Sequence, residues 1–172
     1  MHALTALHEA GALRVSCSES RPALEGRRLA RKLAGLEIPV TCYSDAAIAE
    51  ALTDADAVAV GADAIGPAWF LNKTGTRMLA ASAWQRGVPV YVVASRDKFV
   101  SAAVADRLVV REGAASEVWE DPPGGVTVRN PYFEPIPLEL VTTVISDIGL
   151  LGAAMLPDVC ASMQSDLSVL DA

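Results

Sequence analysis

The stretch "ADAVAVGAD" (55–63) forms an apolar run that ends in a carboxylate. Such runs are typical of strands in the middle of a parallel sheet, because helices cover both faces of the strand. Next along the chain come a helical pattern closed by glycine, "GTRMLAASAWQRG" (75–87), and a second apolar strand, "VPVYVVA" (88–94). A strand, a helix and a strand in this order predict a βαβ unit with a right-handed crossover.

The same alternation runs back toward the N-terminus. Strands are predicted at "LRVSC" (13–17) and "IPVTCYS" (38–44). Helices are predicted at "RPALEGRRLARKLAGL" (21–36), with its proline in the first turn, and at "DAAIAEAL" (45–52), with Asp45 as the N-cap. Repeated units of this kind predict an α/β fold, an open and mainly parallel sheet with helices on both faces.

The C-terminal part follows the alternation less closely. It is predicted to contain a helix, a strand and an extended proline-stiffened segment, at 97–108, 126–130 and 131–137 in that order. A second helix is predicted in 138–152, where the pattern is helical as far as Gly149. We find no internal repeat and no clear linker, so a single domain is expected over 1–152. The tail, 153–172, is expected to form one further helix or to stay mobile.

Composition excludes several classes of function. The formal net charge is −7, and the one basic stretch, "EGRRLARK" (25–32), is interpreted as a solvated helix face, so direct binding to nucleic acid is not expected. No apolar run approaches the roughly 18 residues that a membrane-spanning helix needs, so no membrane partner is expected. The N-terminus has no basic leader and predicts an amphipathic helix, which indicates a cytoplasmic protein.

Metal and cofactor signatures are also missing from the sequence. The three cysteines, Cys17, Cys42 and Cys160, lack the spacing of metal ligands, and their odd number argues against a disulfide framework. No Gly-x-Gly-x-x-Gly fingerprint for a dinucleotide follows the first strand. We therefore expect reduced thiols, no bound metal and no cofactor.

Polar clusters follow the predicted strands at the edge where α/β proteins bind ligands. In open α/β sheets, ligands bind beyond the carboxyl ends of the strands. Three clusters lie there, "SESRP" (18–22), "GAD" (61–63) and "NKTGT" (72–76). Two of them place a cation beside a predicted helix start, whose free N–H groups and dipole favour phosphate. The clusters together predict a pocket for a phosphorylated small molecule.

Each side chain in these clusters also has an ordinary structural interpretation. Asp63 follows an apolar strand, where it can touch a sugar hydroxyl or transfer a proton, but it can equally cap a turn. Arg21 can bind phosphate or pair with Glu25, and Lys73 can bind phosphate or remain solvated. The hypothesis of a ligand site depends on these side chains converging on one anion.

Six segments, in order, carry a family resemblance. They are "ESRPALEGRRLARKL", "IPVTCYSDAA", "VGADAI", "NKTGTRMLA", "GVPVYVVASRDKF" and "NPYFEPIP". The chain resembles the C-terminal, Rossmann-like domain of the family that unites the regulatory subunits of translation initiation factor 2B, methylthioribose-1-phosphate isomerase and ribose-1,5-bisphosphate isomerase. The resemblance covers most of the chain.

The resemblance also implies roles for individual residues. In the isomerase branches, the arginine of the Arg-Pro motif, here Arg21, contacts phosphate and sugar, with a contribution from the residue at Glu25. The aspartate of Gly-Ala-Asp, here Asp63, is implied as the catalytic, proton-transferring carboxylate, and Asn72 and Lys73 as substrate contacts. Isomerase relatives further carry a strand ending in Thr-His-Cys-Asn, whose cysteine is the second catalytic group. No such motif occurs here, and Cys17 does not align with it.

Three hypotheses about function remain open from the sequence. The first is a stand-alone initiation factor 2B-like domain that binds a phosphorylated sugar or nucleotide, in a regulatory role and without a complete catalytic apparatus. The second is an aldose–ketose phosphate isomerase of the methylthioribose-1-phosphate or ribose-1,5-bisphosphate type, using Asp63 and completed by Cys17 or a partner chain. The third is a dimerisation or interaction module, a homodimer or a pair with a related subunit, whose interface would use "AWF" (68–70) and 145–156.

Overall fold

The computed structural model describes residues 2–11, 13–110 and 112–163. The chain divides between Asp54 and Ala55 into two compact units. The first unit contains two strands and two α-helices and ends in a 3₁₀ helix. In chain order these are α1 (His2–Ala10), β1 (Val15–Ser18), α2 (Glu25–Ala34), β2 (Val40–Tyr43) and the 3₁₀ helix Asp45–Thr53.

The first unit is a βαβ element. Strands β1 and β2 pair in parallel, from Val15 opposite Val40 to Ser18 opposite Tyr43. Apolar side chains from α2, the loop after it and the 3₁₀ helix are buried in this unit, namely Leu33, Ile38, Ile48 and Leu52. The predicted strand–helix–strand order is therefore confirmed here.

Two local predictions in the first unit were wrong. The helix predicted over 21–36 begins only at Glu25, and Pro22 lies in the turn before it. Ser20 and Leu24 both adopt a left-handed backbone, with φ of 61° and 57°, which is incompatible with a continuous helix. Asp45 is not an N-cap, because Ser44 occupies that position and the Asp45 carboxylate is used elsewhere.

The second unit holds the remaining strands and helices. In chain order these are β3 (Val58–Val60), β4 (Ala64–Ile65), β5 (Trp69–Lys73), α3 (Thr76–Gln85), β6 (Val90–Val93), α4 (Ala102–Ala105), β7 (Phe133–Pro137), β8 (Thr143–Ser146), β9 (Gly149–Leu151) and α5 (Leu156–Ala161). Four short 3₁₀ helices, Arg96–Lys98, Ala115–Glu117, Leu138–Leu140 and Ala153–Met155, join them.

Two sheets organise the second unit. The larger has the order β3-β6-β8-β9, with parallel pairs β3/β6 and β6/β8 and an antiparallel edge strand, β9. The smaller, β4-β5-β7, is antiparallel throughout. Apolar side chains from both sheets form the core, including Ile65, Phe70, Val92, Ile136 and Val144. The α/β class with parallel strands is confirmed, whereas the antiparallel sheet was not predicted.

Secondary-structure predictions in the C-terminal part were partly wrong. The helix predicted over 138–152 is instead the β8/β9 hairpin, because its run of Val, Thr and Ile favours strands and Gly149 supplies the positive φ of the turn. The helix predicted over 97–108 is interrupted where Phe99 pairs with Ile65, and only Ala102–Ala105 is α-helical. Residues 126–130 form no strand, but the extended 131–137 contains β7.

The tail contains one short helix in its described part. Helix α5 begins at Leu156, which is fully buried together with Cys160. Residues 164–172 of the tail lie outside the described residues, so the structure bears on the predicted tail helix only up to residue 163. Within the described part of the chain, every helix is too short or too polar to cross a lipid bilayer.

Candidate functional site

The predicted site residues lie in both units. Arg21 and Glu25 belong to the first unit, while Asp63, Asn72 and Lys73 belong to the second. Backbone hydrogen bonds hold Arg21 in the first unit and Asp63 in the second. The second unit brings its three residues together.

The β4/β5 hairpin holds Asp63 next to Leu71 of β5. The Asp63 N–H donates to the Leu71 carbonyl at 2.8 Å, and Ala64 pairs with Leu71. Asp63 immediately precedes β4, and Leu71, to which it is bonded, immediately precedes Asn72 in β5. On the other side of β5, Asn72 pairs with Glu134 of β7. Asn72 and Glu134 are thus directly opposed across β5 and β7, and the charge of Lys73, the next residue of β5, acts on Asp63.

Two lysines modify the proton affinity of Asp63. Although Asp63 is exposed, the protein around it displaces enough water to raise the pKa of its carboxyl above the ordinary value. The positive charges of Lys98 and Lys73 act in the opposite direction and do not cancel the rise. A carboxyl of this kind holds its proton to a higher pH than an ordinary aspartate, which suits it to proton transfer.

Lys98 was missed by the sequence reasoning. It ends the 3₁₀ helix that follows β6, so it lies beyond the carboxyl end of a strand of the larger sheet. The rule that placed Asp63 and Lys73 at strand ends applies equally to Lys98. Applying it to "VPVYVVASRDK" (88–98) would have identified this lysine.

The start of helix α3 is already occupied by a side chain. The Glu134 Oε1 atom accepts the N–H groups of Gly75 at 2.8 Å and Arg77 at 2.9 Å. These are the donors that the sequence suggested for phosphate, since the first N–H groups of a helix have no partner within it. Asn72 also serves the helix start, because its Nδ2 donates to Thr76 Oγ1 at 3.0 Å. Any anion that binds at this helix start would therefore share its N–H donors with Glu134.

Replacing Glu134 by alanine should lower the free energy of unfolding by about 1–2 kcal/mol, the usual cost of losing a helix N-cap acceptor. Urea denaturation of the variant and the parent protein measures the difference. Glu139→Ala, at an exposed glutamate shortly after β7, is the matched control and should change stability little. Equal losses in the two variants would contradict a capping role for Glu134.

The side chain of Lys73 rests on an aromatic ring. Its Nζ lies 4.3 Å from the centre of the Tyr132 ring, within the range of a cation–π interaction. The Tyr132 hydroxyl bonds to Glu117, which also accepts from the buried Asn130 at 2.8 Å. Gly113 packs against this ring so closely that a Cβ there would come within 2.5 Å of it. The loop around Gly113 and Glu117 thus fixes the surface that supports Lys73.

In the first unit, Asp45 organises the turn that carries Arg21. Its carboxylate accepts the backbone N–H of Ser20 at 2.7 Å and of Arg21 at 2.8 Å. Burial by itself would raise the pKa of Asp45. The hydrogen bonds from the Arg21 backbone, the Ser18 hydroxyl and the Ser20 backbone, with the Arg21 charge, outweigh it and hold the pKa below its ordinary value. Arg21 itself is exposed beyond this fixed backbone.

The helix that follows Arg21 packs tightly against β1. A Cβ on Gly26 would lie 1.7 Å from the carbonyl oxygen of Ser18, so the helix start touches the strand backbone directly. Glu19 forms an ion pair with Arg27 and also accepts from its Nε at 3.0 Å. Glu25 is exposed in the first turn of α2. These contacts fix the backbone between Glu19 and Arg27.

No cluster of metal ligands occurs in the described part of the chain. Groups of three or more His, Cys, Asp or Glu side chains that could hold a metal ion are missing among residues 2–11, 13–110 and 112–163.

The fold and these side chains define an α/β protein with a carboxyl and two lysines at the ends of its strands. The model of the initiation factor 2 subunit family matches residues 2–153, and the chain belongs to this family. It is 33% identical over 151 residues to the ribose 1,5-bisphosphate isomerase of Methanocaldococcus jannaschii, covering 86% of this chain and 49% of that protein. It is 38% identical over 159 residues to the methylthioribose-1-phosphate isomerase of Rhodopirellula baltica, covering 84% and 45%.

Solved structures support the same assignment. The translation initiation factor eIF-2B subunit delta from A. fulgidus superposes with a TM-score of 0.81 at 31% identity, over 90% of this chain and 49% of that one. The 5-methylthioribose 1-phosphate isomerase from Pyrococcus horikoshii OT3 gives 0.77 at 29% identity, over 90% and 46%. The chain spans about half the length of these relatives. The sequence-based family resemblance and fold are confirmed.

Proposed function

We propose that this chain binds a phosphorylated sugar, or a nucleotide of similar size and charge, through the second unit. The observation that carries the proposal is Asp63, a carboxyl with a raised pKa that lies under the influence of two lysine charges. Lys73 and Lys98 supply the positive charge for a phosphate, while Asp63 and Asn72 supply hydrogen-bonding groups for sugar hydroxyls. The names of the isomerase relatives, both of which act on ribose phosphates, support this ligand class.

The remaining residues of the predicted site have supporting roles in this proposal. The family resemblance assigns Arg21 and Glu25 to the same ligand, and the fixed backbone at Arg21 suits it to hold a charge in a defined place. The domain is further proposed to act as a regulatory ligand-binding module, and its similarity to a subunit of a translation initiation factor supports this role.

Removing either lysine should weaken ligand binding. We expect ribose-1,5-bisphosphate, methylthioribose-1-phosphate or a nucleoside monophosphate to raise the melting temperature, with the affinity confirmed by calorimetry. Lys73→Ala and Lys98→Ala should each weaken the affinity about 10-fold or more, since a charge-assisted hydrogen bond contributes roughly 1.5–3 kcal/mol.

Lys32→Ala removes the same charge from an exposed position on α2 and should leave the affinity within about twofold, because screened surface charges contribute little. Failure of all these ligands to shift the melting temperature at millimolar concentration would reject the proposal. So would an equal loss of affinity in all three variants.

A second candidate function is aldose–ketose isomerisation of such a sugar phosphate. The raised pKa of Asp63 favours it, because this reaction moves a proton between neighbouring carbons of the sugar. Cys17, the thiol considered as a second group, belongs to the first unit, and burial, followed by the influence of Cys42, raises its pKa to about 11. Such a thiol keeps its proton, so it could serve only as a proton donor.

A third candidate, formation of a homodimer or of a pair with a related subunit, is favoured by an exposed apolar row. Val93, Ile145 and Leu150 pair in register across β6, β8 and β9 and remain 40%, 37% and 70% exposed. Contiguous apolar surface of this kind often marks association. The other segment considered for the interface contributes less, because Phe70 is fully buried in the core.

Replacing Leu150 by aspartate should convert a dimer to a monomer, because a charge would be buried without a partner in the contact. Sedimentation analysis of the parent protein and the variant measures this change. Val109→Asp, at an apolar residue that is 79% exposed elsewhere in the second unit, is the control and should leave the dimer intact. A monomeric parent protein at high micromolar concentration would exclude self-association.

A further inference from the structure

Two cysteines face each other across the parallel pair of the first unit. Cys17 of β1 and Cys42 of β2 are direct partners in the register. Neighbouring strands lie about 4.7–4.9 Å apart, which falls within the Cα separation of about 4.4–6.8 Å that disulfides span. Because directly paired residues of neighbouring strands project from the same face, both thiols lie on one side of the sheet.

The two thiols differ in their surroundings. Cys42 is exposed, whereas Cys17 is half-buried and its thiol donates to the Gly26 carbonyl at 3.8 Å. Burial, followed by the charge of the neighbouring Cys42 and a hydrogen bond between the two side chains, raises the pKa of Cys17 to about 11. The thiols are thus close enough to interact directly. Cys160, the third thiol, is fully buried in the second unit.

We propose that Cys17 and Cys42 are a modification site at which a peroxide converts the two thiols into a reversible intrachain disulfide. The proposal depends on the register, the shared face and the exposure of Cys42, and it is independent of any ligand.

The reaction balances with a peroxide as the oxidant. The exposed Cys42 thiolate attacks one oxygen of hydrogen peroxide, the O–O bond breaks, and Cys42 becomes a sulfenic acid while hydroxide leaves. The Cys17 sulfur then attacks the Cys42 sulfur, the S–O bond breaks, and the departing hydroxide takes up the Cys17 proton as water. In total, two thiols and one peroxide give one disulfide and two waters. The raised pKa of Cys17 makes this second step faster as the pH rises.

The disulfide would act on the turn that carries Arg21. Ser18 follows Cys17 directly, and its hydroxyl bonds to Asp45, which in turn accepts the backbone N–H groups of Ser20 and Arg21. Gly26 contacts both residues, through the Cys17 thiol and the Ser18 carbonyl. A covalent link from Cys17 to Cys42 therefore fastens β1 to β2 immediately before this turn.

Thiol counting tests the proposal. The reduced protein has three free thiols, and after hydrogen peroxide treatment and unfolding in denaturant we expect one. Peptide mass spectrometry without reductant should show Cys17 joined to Cys42, and dithiothreitol should restore all three thiols. Cys160→Ser, the matched control, should still lose two thiols and should form the same linked peptides.

Variants that keep only one cysteine of the pair should not form the intrachain disulfide. Cys17→Ser should stop oxidation at a sulfenic acid or at a more oxidised form of Cys42, with no intrachain link. Cys42→Ser should keep both remaining thiols reduced at the peroxide concentration that oxidises the parent protein. Recovery of only intermolecular disulfides, or of a sulfinic acid at Cys42 with Cys17 still a free thiol in the parent protein, would overturn the proposal.

Discussion

Alanine at position 26 should destabilise the protein by at least about 3 kcal/mol, the upper end of what overpacking usually costs. The added Cβ would lie 1.7 Å from the Ser18 carbonyl oxygen and 2.8 Å from its carbonyl carbon. Both atoms belong to the backbone of Ser18, the last residue of β1, so no side chain can rotate away to make room. The helix must move away from the strand, which disturbs the turn that carries Arg21. Against a typical total stability of about 5–15 kcal/mol, this loss is large.

Chemical denaturation followed by circular dichroism measures the effect of Gly26→Ala. Gly35→Ala is the matched control at the other end of the same helix. There φ is −67° and the nearest atoms to a Cβ would be 3.5 Å away, so alanine fits and should be neutral or stabilising by about 0.4–1 kcal/mol. Similar stability of the Gly26 variant and the parent protein would contradict the close approach of α2 to β1.

The Asp63→Asn variant should lower the isomerase activity proposed as the second candidate function. It should also make the fold more stable at neutral pH. A general acid–base group typically contributes about 10²–10⁴-fold to the rate, so Asp63→Asn should lower kcat by that factor. The stability change has the opposite sign because desolvation disfavours the ionised carboxylate in the folded protein, despite Lys98 and Lys73. Asparagine has nearly the same shape and no charge to desolvate.

The pH dependence of this stability difference follows from the raised pKa. Between the ordinary pKa, near 4, and the raised value, the folded protein binds more protons at Asp63 than the unfolded chain. The parent protein therefore loses stability relative to the variant as the pH rises through this window, and the difference stays constant above it. Thermal unfolding of both proteins from pH 3.5 to 7 measures the effect. A variant less stable at pH 7 than at pH 4, relative to the parent, would contradict the raised pKa.

Alternation of apolar strands with helices was sufficient to predict the fold class. The strands at Val15, Val40, Val58 and Val90 lie where the sequence placed them, because β-branched runs next to helical patterns indicate parallel strands. The segment from Ala64 to Lys73 was not recognised as a hairpin. Its partner, β7, lies 60 or more residues later, and such pairing leaves no local signal.

The helix predicted over 138–152 failed for a different reason. Its apolar residues fit both a helical face and a pair of short strands, and periodicity alone does not separate these alternatives in short segments. The β-branched run at Val141 and the glycine at position 149 were the decisive local signals.

The candidate site was predicted in part. Asn72 and Lys73 end β5, while Asp63 bonds to Leu71 of the same hairpin and lies within the influence of the Lys73 charge. Glu134 and Tyr132 could not be predicted, because they reach Gly75 and Lys73 only through the β5/β7 pairing. Lys98 depends on the larger sheet in the same way. Whether Arg21 and Glu25 act on the same ligand stays a prediction.

The Glu134 carboxylate occupies the place of a bound anion at the first turn of α3. It occupies donor groups that a phosphate would otherwise use and places a negative charge at the start of this helix. An anionic ligand must therefore bind mainly to lysine ammonium groups or compete with Glu134. Because Glu134 is part of the chain, its carboxylate stays at this position at any ligand concentration. Replacing Glu134 by a neutral residue is the simplest single substitution by which the domain could gain a binding site for a second phosphoryl group.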